Sequence, residues 1–266
     1  MIQALALVAL TSPVAAPVAA GGLDDLVQIE ILDGGMTARG TFLGAIRMTL
    51  ADGWKTYWRA PGEAGIPPSF DWRGSRNVGE LSITWPVPHV FEQSGLRSIG
   101  YKDQLILPIE ITPENAGRPV HLKGEMDFGV CKDICVPASR GIDHTLNADA
   151  PRHPAIAAAL AQRPYSAAEA GVRSATCRLT PTRNGMQIEA EITVPSAGSD
   201  ELAVFEPSDP TLWVTEAETR RQGNTLYARS EILNAAGGAF ALDRSQMRIT
   251  VLGSKHAVDI QGCLPG

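Results

Sequence analysis

Apolar residues on alternate positions constrain this chain more than any other feature. In the run that ends at Leu50, Phe42, Ile46, Met48 and Leu50 lie on one side of an extended backbone, the two-residue period of a half-buried strand. Leu105, Leu107, Ile109 and Ile111 repeat the pattern with Pro108 on the other side. A proline cannot donate to a ladder, so this segment is expected at a sheet edge. Val120, Leu122, Met126 and Phe128 then lead straight into Cys131. Between these runs stand "ADG", "APGEAGIPP" and "PENAGRP", and a chain with 26 glycines and 19 prolines favours turns over long helices. Strands joined by turns and longer loops are therefore expected over residues 23–148, the pattern of a β-sandwich.

A single segment has the composition of a helix. "PRHPAIAAALAQRP" is Ala-rich, follows Asp149 as a candidate cap and is stopped by Pro164, which predicts a short helical connector over residues 149–164. Alternation returns at Ile188, Ala190, Ile192 and Val194, and again at Met247, Ile249 and Val251, so residues 165–263 are expected to form a second all-β domain. The chain as a whole reads as all-β.

The first twenty residues, "MIQALALVALTSPVAAPVAA", are uncharged, apolar through Leu10 and end in small residues, although they lack a basic start. They predict a secretory signal over residues 1–20, cleaved near Ala20. The apolar run is broken by Thr11, Ser12 and Pro13, well short of the roughly 20 residues a membrane span requires. Export implies a soluble protein in an oxidising compartment, where disulfides persist. A net charge of -6 with scattered Lys and Arg provides no basic stripe, which argues against nucleic acid as a partner.

Four cysteines allow three pairings, and spacing alone does not select one. In "VCKDICVP", Cys131 and Cys135 would stand about 13 Å apart in an extended chain, too far for a disulfide. If the chain turns back at Lys132-Asp133-Ile134, the sulfurs meet across a strand pair. Closing so short a loop gains little entropy, so a bridge there serves exchange better than stability. Lys132 favours a neighbouring thiolate and Asp133 opposes it, leaving the nucleophile open. Cys177 and Cys263, 86 positions apart near the ends of the second domain, have the placement of a structural disulfide.

Three stretches taken together, "GWKTYWRAPGEAGIPPSFDW" (residues 53–72), "SIGYKDQLILPI" (98–109) and "FGVCKDICVP" (128–137), resemble the N-terminal periplasmic domain of the DsbD/ScsB thiol:disulfide interchange family. The likeness runs over roughly residues 37–145. It implies an immunoglobulin-like sandwich and, with ScsB-like relatives carrying a second such sandwich, two immunoglobulin-like domains in tandem. It also implies that Cys131 and Cys135 form the redox pair of a protein-disulfide reductase component located in the periplasm. The implied partners are thioredoxin-like or disulfide isomerase-like proteins, with electrons supplied by a separate membrane protein, since the multi-span and thioredoxin-like modules of the parent proteins do not follow here. Trp54, Tyr57, Tyr101 and Lys102 fall in the resembling stretches as candidate supports of the dithiol, against core filling for the aromatics and turn formation for Tyr101-Lys102. No cofactor or resident metal is expected.

Two other classes compete. Copper delivery would use Cys131, Cys135 and His144, because thiolates with imidazole suit copper. A non-catalytic binding module would use all four cysteines as staples. No Ser/His/Asp set, carboxylate pair or Gly-rich phosphate loop supports hydrolase or nucleotide chemistry.

Overall fold

The computed structural model describes residues 22–93 and 95–266, so the expected signal over 1–20 lies outside the described residues. After a one-turn helix α1 (Leu23–Leu26), the first half of the chain runs through β1 (Val27–Met36), β2 (Phe42–Leu50), β3 (Lys55–Tyr57), β4 (Ser69–Asp71) and β5 (Glu80–Ile83). It continues through β6 (His89–Gln93), β7 (Leu96–Lys102), β8 (Gln104–Thr112), β9 (His121–Cys131) and β10 (Cys135–Thr145). Helix α2 (Pro154–Ala161) follows, then β11 (Tyr165–Ser166), β12 (Ser174–Pro181), β13 (Gly185–Thr193), β14 (Leu202–Glu206) and β15 (Leu212–Val214). The chain ends with β16 (Glu218–Gln222), β17 (Thr225–Asn234), β18 (Arg248–Leu252), β19 (Ala257–Gln261) and β20 (Leu264–Pro265).

The protein is all-β, and among the described residues its strands form four sheets in two groups. In the first group the order β1-β2-β8-β5 faces β10-β9-β3-β7-β6, with β4 also on β9. The second group pairs β11-β19-β18-β14 with β15-β17-β13-β12-β20, with β16 also on β17. Alternation in sequence becomes alternation in burial. Ile46, Met48, Leu107, Ile109 and Ile111 are sealed in one core with Leu122, Met126 and Phe128, while Ile188, Ile192, Ile249 and Val251 fill another. Asp103, at φ +62° between β7 and β8, carries the chain from one sheet to the other, a conformation Asp tolerates better than most residues.

Pro108 does not mark an edge. Strand β8 is interior, hydrogen-bonded to both β2 and β5. The proline is accommodated because β5 pairs no further than Ile83 with Ile109, and the Pro108 carbonyl takes the Thr84 N–H at 2.9 Å just beyond. In an antiparallel strand N and O of one residue point the same way, so the missing N–H falls where the β5 ladder has already ended. In this group of sheets the edge strand with a proline is β10, which carries Pro137.

The helix forms where its composition places it, but Asp149 is not its cap. His153 occupies that position, its Nδ1 accepting from Ala155 N at 3.2 Å, and Pro154 opens the first turn. Ile156, fully buried, packs with Leu32 and Ala45, and the Gln162 carbonyl receives Val87 N–H at 2.8 Å. The connector is thereby pinned to the first group of strands.

The candidate dithiol site

Strand β9 positions the site. Its last residue, Cys131, pairs in register with Cys135 of β10 on one side and Lys55 of β3 on the other, and Lys55 in turn faces Lys102 of β7. These four side chains share the outer face of the sheet, while the next row, Val136, Val130, Thr56 and Tyr101, is turned the other way. The chain does fold back at Lys132-Asp133-Ile134, with Lys132 N–H bonded to the Ile134 carbonyl at 3.1 Å. Cys131 and Cys135 are joined, their Cα atoms 4.1 Å apart. The bridge is lopsided in access: Cys131 is 3% exposed, whereas Cys135 lies on the surface beside Ile134, which is 70% exposed.

Strands β3 and β4 follow one another along the same edge of β9. Lys55 and Thr56 match Cys131 and Val130, Ser69 to Asp71 match Asp127 to Glu125, and residues 58–68 loop out between them. This loop rests on the disulfide face. Ile66 occupies the space a side chain at Gly129 would need, only 2.8 Å from where its Cβ would stand, and the Tyr57 ring is 3.0 Å from the same point. Gly129 is thus a small residue required by a close approach, two positions before Cys131 and on its face.

Tyr57 reaches the bridge. Its hydroxyl oxygen is 3.1 Å from Cys135 Sγ and 3.5 Å from the Ala64 carbonyl. A disulfide sulfur has no proton, so the phenol is the donor. Burial raises its pKa, which keeps the proton in place at neutral pH. If the ring keeps its place on reduction, the same donor would serve the Cys135 thiolate. Tyr57→Phe is expected to slow alkylation of reduced Cys135 by iodoacetamide at neutral pH by roughly two- to fivefold, a hydrogen bond of about 1 kcal/mol partly offset by the higher nucleophilicity of the less stabilised thiolate. An unchanged rate would show that the hydroxyl does not serve the thiolate.

The other candidate supports are placed differently. Tyr101 is on the core face, 5% exposed, donating to the Pro86 carbonyl at 2.7 Å, and burial holds its pKa well above the usual value. Lys102 shares the disulfide's row but sits two strands from Cys131, about 10 Å away by strand spacing. Trp54 packs against the core from the turn before β3. Lys55 was not singled out by its sequence context. It neighbours Cys131 in register, bonds Ser98 Oγ at 3.3 Å and lies over the Phe91 ring, and its pKa is lowered by burial. Lys132 Nζ donates to the Asp52 carbonyl at 3.2 Å, tethering the CKDIC turn to the turn before β3.

His144 is not near the cysteines, which corrects the copper ligand set. It pairs with Leu122 nine residues along β10, about 30 Å from Cys135, and its Nε2 contacts Asp33 at 3.1 Å. Among the described residues no group of three or more His, Cys, Asp or Glu is arranged to hold a metal. The other two cysteines, Cys177 and Cys263, are joined to each other, with Cα atoms 5.7 Å apart and both side chains buried.

Residues 32–147 match the family model described as thiol:disulfide interchange protein DsbD, N-terminal. No curated protein matches the chain. Among solved structures, the crystal structure of the N-terminal periplasmic domain of ScsB from Proteus mirabilis superposes with a TM-score of 0.68 at 20% identity, covering 91% of this chain and 95% of that one. At that identity the structural likeness establishes a shared fold. No helix among the described residues is long and apolar enough to cross a membrane.

Proposed function

We propose, from the premise that residues 32–147 belong to the DsbD N-terminal family of thiol:disulfide interchange proteins, that this protein exchanges electrons with partner proteins through Cys131 and Cys135. The unequal exposure of the two sulfurs carries the reading. In the reduced protein the Cys135 thiolate attacks one sulfur of a partner's disulfide, forming a mixed disulfide and expelling the partner's other sulfur as a thiolate. Cys131, sheltered and adjacent, then attacks Cys135 Sγ. The Cys131–Cys135 bond forms, the mixed bond breaks, and the partner leaves as a dithiol with two electrons and two protons gained. A donor dithiol restores the reduced pair by the same steps in reverse.

Under this reading the protein is exported and periplasmic, and its partners have thioredoxin-like or disulfide isomerase-like folds. Residues 23–148 form the exchange domain, 149–164 the connector and 165–263 a second domain whose Cys177–Cys263 bridge is structural. The burial of that second bridge supports the division of labour.

Limited reduction tests it. Dithiothreitol titrated against the oxidised protein, followed by alkylation and peptide mass analysis, is expected to open Cys131–Cys135 at least tenfold faster than Cys177–Cys263. If both bridges resist until the protein unfolds, the cysteines are staples and the exchange reading fails.

A further inference from the structure

The loop at residues 58–68 packs on one side against Tyr57, which reaches the disulfide, and bonds on the other to the second group of strands. Arg59 stands two residues beyond Tyr57, stacked 4.2 Å over the Trp58 ring. Its Nε and Nη2 donate to both carboxylate oxygens of Glu206 on β14, at 2.7 and 3.0 Å, and Nη2 also reaches Thr250 Oγ1 at 3.2 Å. Thr250, fully buried on β18, donates in turn to Glu206 at 3.2 Å. The pair is largely shielded, with side-chain exposures of 14% and 16%. A second tether lies further along the loop, where Glu63 accepts the Glu216 N–H at 3.3 Å and Glu216 accepts from Arg97 at 2.7 Å.

Polar tethers hold this seam beside an apolar contact in which Leu202, Leu252 and Ala257 join the first core. A cleft of about 530 Å³ opens between the loop and the β14–β15 segment, lined by Pro61, Pro67, Phe205 and Trp213. The first residues of the loop are anchored, with Trp58 fully buried and donating its backbone N–H to the Ile99 carbonyl and the Pro61 carbonyl taking the Ile99 N–H, so the stretch beyond Pro61, which borders the cleft, is the part that can shift when the side-chain bonds are cut. What it would displace is Tyr57, since the Tyr57 ring packs against Gly65 and its hydroxyl bridges Ala64 and Cys135.

We infer that the second sandwich acts on the exchange reaction: Glu206, through Arg59, fixes the 58–68 loop and so sets the position of Tyr57 against Cys135. Arg59 and Glu206 are positioning residues, and they touch neither the disulfide nor its partner. This inference rests on the reading of Cys131–Cys135 as the exchanging pair. It gives the second half of the chain a task in the chemistry of the first.

The test measures the rate at which dithiothreitol opens Cys131–Cys135 in the full chain. Glu206→Ala and Arg59→Gln are expected to raise it fivefold or more, with the isosteric Glu206→Gln moving it the same way should Glu206→Ala fold poorly. Arg59→Lys, which keeps a cation opposite Glu206 but loses the two-pronged contact and the stacking, should fall between Arg59→Gln and the unaltered protein. In a Tyr57→Ala background, which removes the covering ring itself, Glu206→Ala should change the rate less than twofold, because the effect travels through Tyr57. A general loosening would instead speed reduction of Cys177–Cys263 or persist in that background, and either result overturns the inference. Equal rates in unaltered protein and Glu206 variants, with the bridge reactive, overturn it while leaving the exchange reading standing. A bridge inert in every variant removes both.

Discussion

Reduced protein carrying Cys131→Ala will accumulate a single glutathione on Cys135 when mixed with oxidised glutathione, and the unaltered protein will not. With Cys131 present, the mixed disulfide at Cys135 has a neighbouring thiol in bonding range and is resolved at once, releasing glutathione. Without it the adduct persists. The complementary variant, Cys135→Ala, leaves the sulfur that is 3% exposed in the native bridge, and its glutathionylation should be slower by roughly tenfold or more because an attacking thiolate must be reached. Intact-mass measurement over time separates the two. Similar adduct yields in both variants would remove the distinction between an attacking and a resolving cysteine, and no adduct in either would remove the reaction. A disulfide-bonded thioredoxin-like protein in place of glutathione should be captured by Cys131→Ala in the same manner.

Removing the other bridge should have a large effect of a different kind. Cys177 and Cys263 close a loop with a sequence separation of 86, for which the loop-entropy model predicts a loss of about 4–5 kcal/mol when both are replaced. The Cys131–Cys135 bridge, with a separation of 4, should contribute about 2 kcal/mol by the same rule. Cys177→Ala/Cys263→Ala is therefore expected to lower the melting temperature by roughly 20 °C, and Cys131→Ala/Cys135→Ala by less than half of that. Urea or thermal unfolding followed by circular dichroism decides the order. If the close pair proves the stronger staple, the assignment of one bridge to chemistry and one to stability is reversed.

Much of the fold was legible because a strand with one buried face writes its period into the sequence. Ile188, Ala190, Ile192 and Val194 show it, and all four are buried. Pro108 misled because the ladder on its own side stops one residue earlier, a fact about β5 rather than about β8. Asp149 misled because His153 offers an imidazole nitrogen nearer the first turn. At the site, the turn-back at Lys132-Asp133-Ile134 followed from the geometry a disulfide demands, and Tyr57 was among the candidate supports. Tyr101 could be separated from Tyr57 only through register, which puts Thr56 and Tyr101 in one row and Cys131 in the next. The contribution of Ile66 and the looped-out segment was hidden, although Gly129, a glycine between Phe128 and Val130 just before the cysteine, was its one local sign. The seam at Arg59 and Glu206 joins residues 147 positions apart and left no trace in any local pattern.

Pro137 has a consequence for how another protein can approach. Cα atoms 4.1 Å apart mark Cys131 and Cys135 as a non-hydrogen-bonded pair, and Gly129 with Pro137, two residues on, has the same character. The proline nitrogen therefore faces outward from β10, at the point where an incoming strand would need the next donor after Cys135. Zippering of a foreign backbone onto this border is interrupted within two residues of Cys135, which guards an exposed rim against runaway self-association. A protein meeting Cys135 on this side has to recognise it through side chains and shape rather than by lengthening the sheet.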